Sequence, residues 1–339
     1  MKRIVSLLLA LAMVFALVAC GSKNTNSGAS AGTGASEYKY TGPRMTIGGA
    51  DSTGPMYAAA AAIATTLTGC IDGLNVDATT SSGSNENAIN VSEGTIELGM
   101  CSADAGLNAF TGAGKFASTG ACGNLRVLGA VYPALSHFIT LRSSGIEYMH
   151  DLAKVNNPVI GIGPAASTCE SSATLALETM GVTKANATLQ NVTLGDGADN
   201  VVNGVMTASA VFAGIPAGVF LNASVTKDCV FPKYTDEELD IICEKNAAYY
   251  KAFIPAGTYT GLTEDLPTFG VKTLVICSED LDDELAYQIA KTFYEQAEDM
   301  AAGNSLFNFM LDRTFLANDV PLPLHPGAER FYREIGLLQ

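Results

Sequence analysis

Apolar strand signals, each followed by a Ser/Thr/Gly loop and then a helix, recur along this chain, and that order dictates an α/β architecture. Residues 44–50 read as a strand running into Asp51-Ser52-Thr53-Gly54-Pro55 and an alanine-rich helix, 56–68, stopped by Gly69. Ser and Thr favour the N-cap, and Pro suits the first helical turn. A second unit has 74–80 as strand, Ser81-Ser82-Gly83-Ser84 as turn and 85–93 as helix; a third has 96–101, Ser102-Ala103-Asp104 and a helix through Asn108. Alternation of this kind predicts doubly wound, mainly parallel sheets with the strand-to-helix loops gathered at one edge.

The same plan starts again further on. Residues 125–141 form a long apolar stretch suited to leaving a first lobe, and Val159-Ile160-Gly161-Ile162-Gly163 opens a second series. Pro164-Ala165-Ala166-Ser167-Thr168 leads into a helix through Met180, closed by Gly181, and 210–216 gives a further strand and loop. Residues 269–277 suit a strand returning to the first lobe, followed by a single long amphipathic helix over 280–302 with acidic residues at its start. The reading is a two-lobe chain, 44–140 with 270–339 as lobe 1 and 141–269 as lobe 2, hinged by crossover strands around a cleft.

Ahead of that body lies an address. Lys2 and Arg3 precede an apolar run from 4 to 19, which is too short to span a bilayer comfortably and ends in Leu17-Val18-Ala19-Cys20-Gly21. Residues 1–19 are expected to be a signal peptide, and the tetrapeptide ending at Cys20 resembles a bacterial lipobox. Residues 20–43 then comprise the lipidated Cys20 and a Gly/Ser-rich linker. Gly28-Ala29-Ser30-Ala31-Gly32 has the letters of a hydrolase elbow without the flanking strand and helix that the motif requires. The expectation is an extracytoplasmic protein, lipid-anchored to the bacterial cell membrane.

Composition removes several classes. The 19 Lys and Arg against 34 Asp and Glu give a formal charge of −15, so nucleic acid is not an expected partner. With 48% apolar residues the chain has enough material for a core, which excludes wholesale disorder. Apart from Cys20, seven cysteines remain, with no C-x-x-C or other metal spacing. They suit free buried thiols or one or more disulfides, and a Cys229–Cys243 bridge is conceivable from sequence proximity. His137, His150 and His325 are scattered without spaced acidic, Cys or His companions. Gly161-Ile162-Gly163-Pro164-Ala165-Ala166 matches a dinucleotide fingerprint only in letters, since proline sits in the turn. Neither a catalytic residue nor a metal or cofactor is expected: the reading is a binding protein, not an enzyme.

Helix N-termini present unpaired N–H donors and partial positive charge, which favours an anion. Ser52-Thr53-Gly54, Ser82-Gly83-Ser84 and Ala166-Ser167-Thr168 are three such ends, each equally able to act as a structural cap. Arg126 and Arg142 fall in strand or hinge segments, so a carboxylate ligand would be gripped by helix ends and hydroxyls.

These residues resemble the TAXI-type solute-binding proteins of TRAP transporters. The resemblance covers most of 44–336 and rests on Ile47-Gly48 through Ser52-Thr53-Gly54, Gly83-Ser84-Asn85-Glu86-Asn87, and Asn124-Leu125-Arg126 running to Tyr132-Pro133. Ala213-Gly214-Ile215-Pro216, Ile254-Pro255-Ala256-Gly257-Thr258-Tyr259 and the tail Pro323-Leu324-His325-Pro326-Gly327-Ala328-Glu329-Arg330 complete it. It implies a type II periplasmic-binding fold closing on a small organic acid, glutamate-like or a dicarboxylate, and delivery to an integral-membrane TRAP permease by a monomer. By motif it implies ligand contacts from Ser52, Thr53, Gly83, Ser84, Asn87, Thr168 and Gly214, joined by Tyr57, Asp104 and Tyr259; Gly54 and Ser167 belong to the same loop ends. Departures from the pattern fall on those loops: Pro55 and Ser82 replace glycines, and Ala166-Ser167 replaces Ser-Gly. The alternatives are an ABC-type substrate-binding lipoprotein and a ligand sensor for a membrane receptor. His325 is expected to stabilise its turn.

Overall fold

Buried β-branched and aliphatic runs make the strands, and alanine-rich or amphipathic segments between them make the helices that cover both sheet faces. The computed structural model describes residues 38–50, 52, 54–165 and 167–339. The predicted signal peptide, Cys20 and most of the linker therefore lie outside the described residues, as do Thr53 and Ala166. Tyr38–Gln339 forms one unit.

The first series comprises β1 (Met45–Gly48), α1 (Pro55–Cys70), β2 (Val76–Thr79), α2 (Ser84–Ser92), β3 (Leu98–Ser102) and α3 (Ala103–Thr111). The long β4 (Leu125–Leu141) follows. The second series has β5 (Val159–Gly161), α4 (Thr168–Thr179), β6 (Thr188–Gln190), α5 (Leu194–Val202), β7 (Ala208–Ala213) and α6 (Gly218–Thr226). After it come β8 (Cys229–Val230), α7 (Asp236–Lys245), β9 (Tyr250–Ile254), β10 (Leu266–Ser278), α8 (Asp283–Glu295), α9 (Ala297–Gly303) and α10 (Pro326–Glu334).

The main path of the sheet runs β2-β1-β3-β10-β4-β7-β5-β6. β1 pairs in parallel with β2 and β3, and β5 in parallel with β6 and β7. Between these two parallel series lie β4 and β10, antiparallel to each other and to their outer neighbours. β4 meets β10 with residues 125–135 and β7 with 135–139; β10 meets β4 with 270–278 and β9 with 266–270. Each series thus follows the same order, with the long strands exchanged at the Leu135–Gly270 pair.

Packing follows periodicity. α1 places Ala59, Ala60, Ile63, Ala64 and Leu67 on one buried stripe against Met45 and Ile47 of β1. Small side chains let this helix lie close to the sheet, and Leu285, Ile289 and Phe293 of α8 fill the same core. The single helix expected over 280–302 is broken: α8 ends at Glu295 and α9 starts at Ala297, with Gln296 between them at φ −96°, ψ 8°. Beyond the break Ala297 and Met300 are buried in the same core as Ile289 and Phe293 of α8. All seven described cysteines are free thiols, five of them buried, and Cys229 and Cys243 are not bridged. His325 is buried and caps α10, its Nδ1 accepting from Gly327 N at 3.3 Å. Among the described residues no helix is long and apolar enough to cross a membrane.

Candidate anion-binding cavity

A cavity of about 830 Å³ opens where the N-termini of α1, α5 and α6 approach one another. Gly54, Pro55 and Ala58 line it from α1, Thr193, Leu194 and Gly195 from α5, and Ala217, Gly218 and Val219 from α6. Pro164 of the β5–α4 loop and the Asn304–Leu306 segment complete the wall. Among the described residues no lining side chain is charged.

What distinguishes these helix ends is what they lack. α1 starts at Gly54 and α6 at Ala217; neither has a capping side chain, and neither carries an acid in its first turn. Every other described α-helix has one or both: Glu86 on α2, Asp104 on α3, Ser167 and Glu170 on α4, Thr193 and Asp196 on α5. α7 to α10 each have first-turn acids. In an acid-rich chain, two helices without an acid in their first turn meet at one cavity. First-turn amides have no intrahelical partner, so Gly218 and Val219 of α6, which line the cavity, offer donors there. α5 adds its end with Thr193 already accepting from Asp196 N at 3.0 Å.

Some sequence-predicted residues reach this cavity. Gly54 lines it, and Gly214 lies between the lining residues Ala213 and Ile215. Gly214 has a packing reason to be glycine: a Cβ would stand 2.3 Å from Leu306 Cδ2 and 3.2 Å from the Tyr132 ring. Ser52 is exposed near the start of α1, and Tyr57 is half-buried with its backbone against Gly49, where a Cβ would come within 2.9 Å of Tyr57 Cα.

Others are engaged within the fold. Asn87 Nδ2 donates to Gly48 O, Gly49 O and Met100 O at 3.1, 2.6 and 2.8 Å, tying α2 to the end of β1 and to β3. Ser84 Oγ accepts from Ser102 N at 3.0 Å, and Gly83, at φ +109°, turns the chain into α2. Tyr259 is buried, with its hydroxyl 2.8 Å from both His137 Nε2 and Ala217 N. Arg126 pairs with Glu279 and Arg142 with Asp228.

Asp104, Ser167 and Thr168 line a second cavity of about 520 Å³ between α3 and α4. Its helix ends are already answered. Ser167 Oγ accepts from Glu170 N at 3.1 Å, and Asp104 supplies a carboxylate in the first turn of α3. Burial pushes the Asp104 carboxyl above the ordinary range despite Tyr249 Oη donating to its Oδ2 at 3.4 Å, and its Oδ1 has no hydrogen-bond partner. Glu170, Glu178, Lys115 and Lys184 also line this cavity, so its walls carry both signs of charge, unlike the uncharged side chains described around the first.

The residues missed from sequence are those of α5, α6 and the Asn304–Leu306 segment. Thr193-x-x-Asp196 before spaced apolar residues is a legible capping signal for α5. α6 offers none, because its opening residues are Ala and Gly.

This α/β arrangement, a mixed sheet flanked by helices, matches the two-domain fold of solved solute-binding proteins. A TctC solute-binding protein from Polaromonas shares it at TM-score 0.51 and 11% identity, over 87% of this chain and 98% of that one. PhnD1 from Prochlorococcus marinus in complex with methylphosphonate does so at TM-score 0.52 and 11% identity, with the same coverages. Residues 47–336 match the NMT1-like family, and the chain belongs to it.

Proposed function

We propose that this protein is an extracytoplasmic solute-binding protein of the TAXI type. It captures a small organic acid, a glutamate-like amino acid or a dicarboxylate, and delivers it unaltered to a TRAP-type permease. Lobes 44–140 with 270–339 and 141–269 close on the ligand through β4 and β10, and ligand shifts that equilibrium. The observation that carries the reading is the convergence on the 830 Å³ cavity of two helix ends, α1 and α6, that have neither a side-chain cap nor a first-turn acid. The motif resemblance to TAXI proteins supports it. The structural neighbours lend further support, one being a solute-binding protein and another holding the anion methylphosphonate.

Succinate, L-glutamate and methylphosphonate, with their neutral amides or esters, form the test set for calorimetry and thermal unfolding. An anion at a hundred times its Kd is expected to stabilise the protein by about 2.7 kcal/mol, while the neutral analogue does nothing. Recovery of the ligand chemically unchanged is expected. Equal shifts from neutral analogues, or turnover of the ligand, would sink the reading.

Lipid anchoring has its own test. Cys20→Ala is expected to move the protein from the membrane fraction to the soluble fraction, since an acyl anchor supplies the attachment. Retention on membranes after that change contradicts an anchor at Cys20.

A further inference from the structure

Behind the α6 end of the cavity lies a buried chain of polar groups that the binding reading does not by itself require. His137 stands on β4 opposite Val211 of β7 and is only 1% exposed. Its Nδ1 lies 3.1 Å from Leu135 O, its Nε2 lies 2.8 Å from Tyr259 Oη, and that hydroxyl accepts from Ala217 N at 2.8 Å. Leu135 O can only accept, so Nδ1 carries a proton; in the neutral ring Nε2 is then bare and accepts from Tyr259 Oη, which itself accepts from Ala217 N. Every member is satisfied when His137 is neutral. Burial holds its pKa down at about 4, which keeps it neutral at ordinary pH.

The two rings also clamp the helix start. His137 meets Phe220, in the first turn of α6, edge-on at 5.2 Å, and Tyr259 stacks on Phe231 at 4.7 Å. Ala217 is the N-cap of α6 and has no side chain with which to cap it. We propose that His137 and Tyr259 are positioning residues: their relay fixes Ala217 and so aims the Gly218 and Val219 amides into the cavity. The inference rests on the reading of that cavity as the anion site. It adds that the ligand-facing helix end is held from behind by a side-chain relay that touches no ligand.

Tyr259→Phe removes one hydroxyl and keeps the ring, and His137→Leu removes the acceptor. His137→Gln restores an acceptor for the Tyr259 proton. Two readouts are needed: hydrogen exchange at the Ala217 amide, referred to amides of β3, and calorimetric affinity for whichever of succinate, L-glutamate or methylphosphonate the wild type binds best. Tyr259→Phe and His137→Leu are expected to speed Ala217 exchange by about tenfold beyond any change in β3 and to weaken the anion by about tenfold. His137→Gln is expected to stay within about threefold of wild type in both. Unchanged Ala217 exchange in Tyr259→Phe overturns the relay. Faster exchange with unchanged affinity overturns its positioning role. If the wild type binds none of the three anions, the functional reading fails for them, and the exchange measurement still decides whether the relay holds Ala217.

Discussion

Gly218→Asp is expected to abolish high-affinity anion binding while leaving the fold as stable as before or slightly more so. Gly218 opens α6 and is exposed at the cavity wall, and a Cβ built there meets nothing within 4 Å. A carboxylate therefore fits without strain and satisfies the helix dipole from within. Replacing a helical glycine contributes about 0.5–1 kcal/mol, and an acid at a helix N-terminus about 0.3–1 kcal/mol. The same charge repels an incoming anion: two unit charges 4 Å apart at an effective dielectric of 20 interact by about 4 kcal/mol. Solvent reduces that at an exposed position, leaving a loss of roughly a hundredfold in affinity. Gly218→Ala, which adds the Cβ without the charge, is expected to bind like wild type. Calorimetry on the two variants beside urea melts separates charge from shape, and full affinity in Gly218→Asp would refute the helix-end site.

Asn87→Ala is expected to cost the protein about 3–5 kcal/mol of stability. The Asn87 amide is fully buried and serves the carbonyls of Gly48, the last residue of β1, Gly49 just beyond it, and Met100 within β3. Alanine would strip the buried Gly48 and Met100 carbonyls of this donor, while Gly49 O keeps Ser81 Oγ at 3.0 Å, and each buried group left unpaired costs about 1–3 kcal/mol. The fit is close: a Cβ on Gly48 would lie 2.4 Å from Asn87 Oδ1, so the glycine and the amide require each other. Gly49 also leads into the loop that opens α1, so loosening this tie disturbs one side of the cavity as well as the sheet. Denaturant unfolding measures the effect, and a loss below about 1 kcal/mol would contradict the role given to Asn87.

The long strands were legible because an unbroken apolar run has few other uses. The 125–141 reading coincides with β4, and β10 extends the 269–277 reading by a few residues at its start. α1 was legible for a related reason, its alanine stripe lying between a proline and a glycine. The register that exchanges β4 and β10 between the two series was not legible, because pairing depends on partners more than a hundred residues apart. The site divides along similar lines. Ser84, Ser167 and Asn87 stand out in sequence as polar residues at helix starts, yet a hydroxyl that caps its own helix looks the same in sequence as one aimed at a solute. In the structure Ser167 serves Glu170 N, Ser84 serves Ser102 N and Asn87 serves the sheet. Of the two ends left open, the α1 end at Gly54-Pro55 was read from Ser52-Thr53-Gly54, whereas Ala217-Gly218 at α6 offers no side chain to read. Their meaning appears only once folding brings α1 and α6 to the same space.

The most direct test is a crystal structure of the body with the small molecule that copurifies with it, or with the tightest anion of the test set. The account predicts acidic oxygens within hydrogen-bond distance, about 2.7–3.2 Å, of the Gly218 or Val219 amide on one side and the Met56 or Tyr57 amide on the other. A ligand seated instead beside Asp104 and Thr168 in the second cavity, with the ends of α1 and α6 untouched, would contradict it.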